Sequence, residues 1–136
     1  IDDIRIKNKN QVLEKKAYVD LQTGLPNKSK CEEMLNNYEY ITEPMGFVMF
    51  DLNNLKCAND TYGHAVGDQL ITNFARLLRN AIPAKDFVGR YGGDEFIAII
   101  TQTTKNEILK IMDEVHDEVR HFNENIHKVE VSYAYV

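Results

Sequence analysis

The chain has few cysteines, and the two it has, Cys31 and Cys57, show neither the paired spacing of a zinc site nor a disulfide framework. Reduced, structural thiols follow, which suits the cytoplasm. A basic excess is also missing: 16 Lys and Arg face 21 Asp and Glu, for a net charge of −5. That argues against a broad footprint on a nucleic-acid polymer while leaving room for a single nucleotide. No apolar run approaches membrane-spanning length, and the opening IDDIRIKNKN lacks the apolar core of a signal peptide. This piece is therefore expected to hold no membrane segment, although a membrane-anchored parent protein stays compatible. There is no internal repeat and no low-complexity tract. At 136 residues and 43% hydrophobic content the chain is long enough for one core and too short for two domains.

What the chain does have is organised around Arg90 to Phe96, RYGGDEF, flanked by apolar Phe87–Val88 and Ile97–Ile100. This reads as a β-hairpin in which Gly92 and Gly93 take the positive φ of a tight turn. Asp94 and Glu95 leave that turn together, and two acids entering an apolar strand are costly to desolvate without a cation. Residues 46–52, GFVMFDL, read as a strand buried on both faces that ends in Asp51. Asp51 is either a ligand group at a strand's C-terminal end or a helix cap.

Helices are expected over 28–38, capped by Asn27 with Cys31, Met34, Leu35 and Tyr38 on one face, over 68–82, and from Thr104 to Phe122. Thr104 and Glu107 have capping-box spacing. Residues 1–19 read as a helical lead-in or linker, and 128–136 as a closing strand with Val129, Val131, Tyr133 and Tyr135 on one face. The polar segment 53–69 carries Lys56, Asn59, Asp60, His64 and Asp68 between glycines. Asn-Asp-x-x-Gly there is ordinary turn chemistry, Asp68 can favour the first turn of the next helix, and Lys56 and His64 have bland surface readings.

This order of elements fits an α/β (α+β) sandwich with a mostly antiparallel central sheet flanked by helices. If the Asp51 strand lies beside the hairpin, Asp51, Asp94 and Glu95 can share an oxygen-rich site of the kind Mg²⁺ prefers, completed by phosphates. Phosphoryl transfer is the chemistry implied. Strand alternation sends Asp94 and Glu95 to opposite faces unless the turn twists them together, and Asp94 is favoured for the metal.

RYGGDEF, together with DLQTGLPN and FDLNNLKCANDTYGHAVGD in this order, resembles the GGDEF domain of diguanylate cyclases over residues 20–136. The resemblance implies a fold like that of nucleotidyl cyclases and polymerase palm domains. It implies condensation of two GTP molecules into cyclic di-GMP and pyrophosphate with Mg²⁺ or Mn²⁺, one GTP on each of two facing domains of a homodimer. Asp51, the Leu52 carbonyl, Asp94 and Glu95 then match the metal-binding and catalytic positions. Asn59 and Asp68 match the guanine-reading pair, Lys56 a phosphate-region lysine, and Leu55, Arg90, Gly92 and Gly93 further substrate-binding positions. A sensory or regulatory domain attached before residue 1 is also implied.

The chain departs from the family pattern in three places. Pro83-Ala84-Lys85-Asp86 stands where the product-inhibition site carries Arg-x-x-Asp, so no allosteric product site is expected. Asn53 replaces a second Asp, and Asn54 with Leu55 an aromatic pair. Family members continue past the final strand into a further helix and strand that contact the triphosphate, so the domain is read as truncated at its C-terminus. The alternative to an enzyme is a GGDEF module that binds GTP as a regulatory domain. A structural α/β module with accidental acids explains none of the pattern at 53–69.

Overall fold

A computed structural model describes residues 17–37, 43–125 and 129–136. The elements are α1 (Lys28–Asn37), β1 (Gly46–Leu52), α2 (Leu55–Tyr62), α3 (His64–Ala81), β2 (Phe87–Arg90), β3 (Glu95–Ile100), α4 (Lys105–Glu124) and β4 (Tyr133–Tyr135). The strands form one sheet in the order β2-β3-β1-β4, and every pairing is antiparallel. The expected α+β architecture is the one that forms.

One sheet face carries the main core. α3 presents Leu70, Phe74, Leu77 and Leu78 at helical spacing and α4 presents Met112, Val115 and Val119, against Val48, Phe50, Val88, Phe96 and Ala98 of the sheet. Phe74 is central, its ring 5.2 Å from Phe96 and 6.0 Å from Phe50, edge-on to both. α4 begins with the capping box foreseen at Thr104 and Glu107, and α1 with Asn27, whose side chain accepts the Lys30 N–H at 3.1 Å. On the opposite face α1 packs against β2, with Cys31 fully buried beside Gly89. Burial pushes the Cys31 thiol up to about 11, so it stays protonated and unreactive. Cys57 is exposed on α2, so only one of the two cysteines is a core residue.

Five expectations about the elements need correction. β1 is not buried on both faces: Gly46, Val48, Phe50 and Leu52 point inward, while Phe47 and Met49 are 49% and 39% exposed. α1 lies over β2, which leaves that side of β1 open. Of the polar segment 53–69 only Asn53 and Asn54 keep a turn; from Leu55 on it is two helices divided at Gly63, whose φ of 90° lets the chain change direction without a Cβ penalty. α3 accordingly starts at His64, and Asp68 lies beyond its first turn. Gly92 and Gly93 are not left-handed: Gly24 and Gly63 are the glycines with positive φ. The loop between β2 and β3 is four residues long, and Tyr91 and Gly92 both donate to the Glu95 carbonyl, so no two-residue turn is needed.

The closing strand is also shorter than expected. Among the described residues Val131 pairs with no neighbouring strand; its N–H donates to Asn123 Oδ1 and its carbonyl accepts from Asn123 Nδ2, both at 2.8 Å. That side chain satisfies the peptide groups that strand pairing would otherwise take. Val131 is buried and Tyr133 packs on the core, but Tyr135 is exposed. Residues 1–16 of the lead-in, Tyr38 and Lys128 lie outside the described residues.

Candidate active site

β1 and β3 are paired so that Asp51 lies directly opposite Glu95. Leu52 N–H donates to the Asp94 carbonyl at 2.8 Å, which makes Leu52–Asp94 the hydrogen-bonded pair and Asp51–Glu95 the closer, non-hydrogen-bonded one. Residues directly opposite share a sheet face, so both carboxylates leave the sheet on the same side. Among the described residues, none of the Asp51, Asp94 and Glu95 carboxylates accepts a hydrogen bond or pairs with a cation. The sequence favours Asp94 as the partner of Asp51, whereas the register gives that place to Glu95, and Asp94 sits one residue outside β3. Leu52 buries its side chain and brings only its backbone to the site.

A like-charge pair at a sheet's closest cross-strand position is unfavourable unless a cation is shared. Among the described residues no three His, Cys, Asp or Glu side chains gather as a cluster that could hold a metal ion. The donor set still fits a hard divalent cation, because Mg²⁺ uses one or two carboxylates and takes the rest of its shell from water and phosphate. The Asn53 amide nitrogen beside this set donates to Ser132 Oγ at 3.1 Å.

The signature loop is held by Arg90. Its Nε and Nη2 donate to the carbonyls of Gly92 and Gly93 at 3.1 and 2.8 Å, and Nη1 reaches Asp20 Oδ2 at 3.2 Å and Gln22 Oε1 at 2.8 Å. With its side chain 12% exposed and its donors so engaged, Arg90 braces the loop rather than offering itself to a substrate. Burial alone would raise the Asp20 carboxyl. Hydrogen bonds from the Thr23 hydroxyl and N–H and from Arg90, with the Arg90 charge, outweigh it and hold the group below its ordinary 3.8. A Cβ on Gly92 would press on Glu95, and one on Gly93 would meet nothing within 4 Å, so the Gly93 backbone faces open space.

The base-reading candidates come together through a close helix contact. The Asn59 amide on α2 lies against the backbone of Gly67 on α3, in space that any Cβ would fill, and Asp68 follows directly. Lys56 is exposed near the start of α2 and Leu55 packs partly on the core.

Asp86 is closed off. Its side chain is fully buried, and Oδ1 accepts from the Thr101 N–H at 3.0 Å and hydroxyl at 3.2 Å and faces Lys85 at 3.4 Å. Oδ2 has no partner among the described residues. Arg79 is spent on the carbonyls of Ile82, Pro83 and Asp86. A cleft of about 520 Å³ opens between residues 23–26, α3 and β2, but none of the three acids borders it.

Asp20 and Gln22 escape a reading of the sequence, in which DLQTGLPN supplies the Asn27 cap and part of the family resemblance but no role for either side chain. An acid and an arginine 70 positions apart carry no local signal of pairing.

Residues 17–135 match the family model for the diguanylate cyclase GGDEF domain. Among curated relatives, the Escherichia coli proteins DgcI and DgcC, each described as a probable diguanylate cyclase, are 36% and 33% identical over 76% and 72% of the chain. These matches take in 23% and 28% of the relatives' own lengths, so the chain spans about a quarter of each. Among solved structures, the coiled coil and GGDEF domain of Caulobacter crescentus DgcB, in complex with c-di-GMP, superposes with a TM-score of 0.87 at 21% identity, covering 98% of this chain and 75% of that one. Pseudomonas aeruginosa diguanylate cyclase SiaD gives 0.79 at 26% identity, covering 98% and 54%.

Proposed function

The chain belongs to the diguanylate cyclase GGDEF domain family, and from that membership we propose that it is a catalytic domain condensing two GTP molecules into cyclic di-GMP with release of pyrophosphate. The observation that carries this reading is the unpaired Asp51–Glu95 couple across β1 and β3. A module that only bound GTP would gain nothing from holding two like charges at the closest cross-strand position, whereas a cation-dependent transferase needs them. The reaction is two reciprocal in-line attacks, the 3′-hydroxyl of each GTP on the α-phosphorus of the other; each forms one P–O bond as the bond to one pyrophosphate breaks and a hydroxyl proton is lost, so two pyrophosphates leave per cyclic di-GMP.

Asp51, Glu95 and Asp94, with the Leu52 carbonyl, are the groups that would hold Mg²⁺ or Mn²⁺. When bound, such a cation neutralises phosphate charge and favours ionisation of the attacking hydroxyl. The Gly93 backbone leaves room for a nucleotide to approach the loop, and Arg90 keeps that loop in place from behind. The Asp68 carboxylate accepts from the two adjacent N–H donors of guanine while the Asn59 amide donates to a ring acceptor. Lys56 supplies positive charge to the phosphates. Cytoplasmic location and an attached sensory or regulatory domain belong to the same proposal. No helix among the described residues is long and apolar enough to cross a membrane.

Each domain has one such site, so two must face each other before two nucleotides can react. With GTP and Mg²⁺, specific activity should therefore rise with protein concentration through the monomer–dimer range. Specific activity that stays flat across that transition would rule out the shared site. The product should not bind tightly at residues 83–86, because Asp86 is enclosed and Arg79 beside it is engaged by the carbonyls of Ile82, Pro83 and Asp86. Titration calorimetry with cyclic di-GMP is expected to show no heat that depends on Asp86, and a tight, Asp86-dependent isotherm would reverse this conclusion.

A further inference from the structure

Gln22 stands between the two halves of the proposed site. Arg90 Nη1 donates to its Oε1 at 2.8 Å, and its Nε2 donates to Asp68 Oδ1 at 3.1 Å. Arg90 is in turn fixed by Asp20 and by the carbonyls of Gly92 and Gly93. A cation at one end and a carboxylate at the other leave the amide one sensible orientation. Flipped, it would set NH₂ against guanidinium and oxygen against carboxylate. Both hydrogen bonds are charge-assisted, and each polarises the amide in the sense that strengthens the other.

The exposed Asp68 side chain would otherwise rotate freely about its terminal bond. With one oxygen held by Gln22, the carboxylate plane is set before a ligand arrives, and Oδ2 together with a remaining lone pair of Oδ1 stays available. We propose that Gln22 is a positioning residue that presents the Asp68 carboxylate to a purine with two adjacent N–H donors and couples that orientation to the signature loop through Arg90. This rests on the reading of Asp68 as the carboxylate that recognises guanine. Hypoxanthine has only one of the two donors, so a held plane benefits it less, and Gln22 contributes to the preference for GTP over inosine triphosphate.

The test is equilibrium binding of the non-reacting α,β-methylene analogues of GTP and inosine triphosphate, with melting temperature measured alongside. Gln22→Leu should weaken the guanosine analogue about fivefold, the effect of one lost hydrogen bond, and the inosine analogue less, so that the preference narrows. Gln22→Glu keeps an acceptor for Arg90 but sets a negative charge against Asp68, and should weaken the guanosine analogue by about tenfold or more. Neither should shift the melting temperature materially, because Gln22 is exposed and contributes nothing to the core. A wild-type preference in Gln22→Leu overturns the proposal. So does an equal loss for both nucleotides, or a loss that tracks a fall in melting temperature. If wild-type protein shows no guanine preference, or Asp68→Asn leaves it intact, the reading of Asp68 itself fails and the proposal with it, a result visible before any Gln22 variant is compared.

Discussion

Protein carrying Asp51→Asn should make cyclic di-GMP from GTP and Mg²⁺ at least about 10³-fold more slowly than wild type, a loss of about 4 kcal/mol of transition-state stabilisation. The amide keeps the shape and an oxygen but removes the charge, so the loss measures electrostatics rather than packing. The same substitution should leave the fold as stable or more so. Asp51 faces Glu95 in the closest cross-strand register without a cationic neighbour among the described residues, and relieving such a like-charge pair contributes about 0.2–1 kcal/mol. Urea unfolding without divalent cation should thus show an equal or higher midpoint in the variant, and added Mg²⁺ should stabilise wild type more than the variant. Near-normal turnover in Asp51→Asn would remove this carboxylate from the mechanism, and a marked loss of stability would show that its role is structural.

Gly67→Ala should separate base reading from folding. Gly67 is helical and buried, and the atom its new Cβ would strike is Asn59 Oδ1, the far end of a short side chain rather than backbone. The amide has to swing away. Alanine in a helix interior is favoured over glycine by about 0.5–1 kcal/mol, which offsets the crowding. The expected result is a melting temperature close to wild type and a KM for GTP raised by about tenfold, the loss of a hydrogen-bonding group worth about 1.4 kcal/mol. Because the alanine acts through Asn59, Gly67→Ala combined with Asn59→Ala should be no worse than Asn59→Ala alone, a non-additivity that independent sites do not show. Unchanged GTP affinity in Gly67→Ala would mean that the Asn59 amide takes no part in recognition.

Periodic apolar patterns made the larger elements legible. Leu70, Phe74, Leu77 and Leu78 announce α3, and Met112, Val115 and Val119 announce α4, because their spacing alone defines a buried stripe. The carboxylate at the end of β1 and the acids after the glycine loop are also visible in the sequence, and pairing β1 with β3 is what joins them. α2 is hidden for the opposite reason. Only Ala58 of its residues is buried, and its Asn, Asp and Thr carry turn preferences that packing against α3 overrides. The exposed side of β1 depends on where α1 settles, and the loss of strand pairing at Val131 depends on Asn123, so both are tertiary facts. The brace of Asp20, Gln22 and Arg90 joins segments far apart in the chain with single polar side chains, which have no period to detect.

The strand order has a further consequence for how the molecule is made. β1 has both of its sheet neighbours, β3 and β4, downstream, while β2 and β3 close a short local hairpin. Local contacts form readily and distant ones wait for loop closure. During synthesis Asp51 is added well before Glu95 exists, and at about 5–20 residues per second that interval lasts seconds. A nascent chain that ends before β3 contains the aspartate but no site. The carboxylate couple is made when β1 docks onto the finished hairpin, so the chemistry of the domain arrives with its topology.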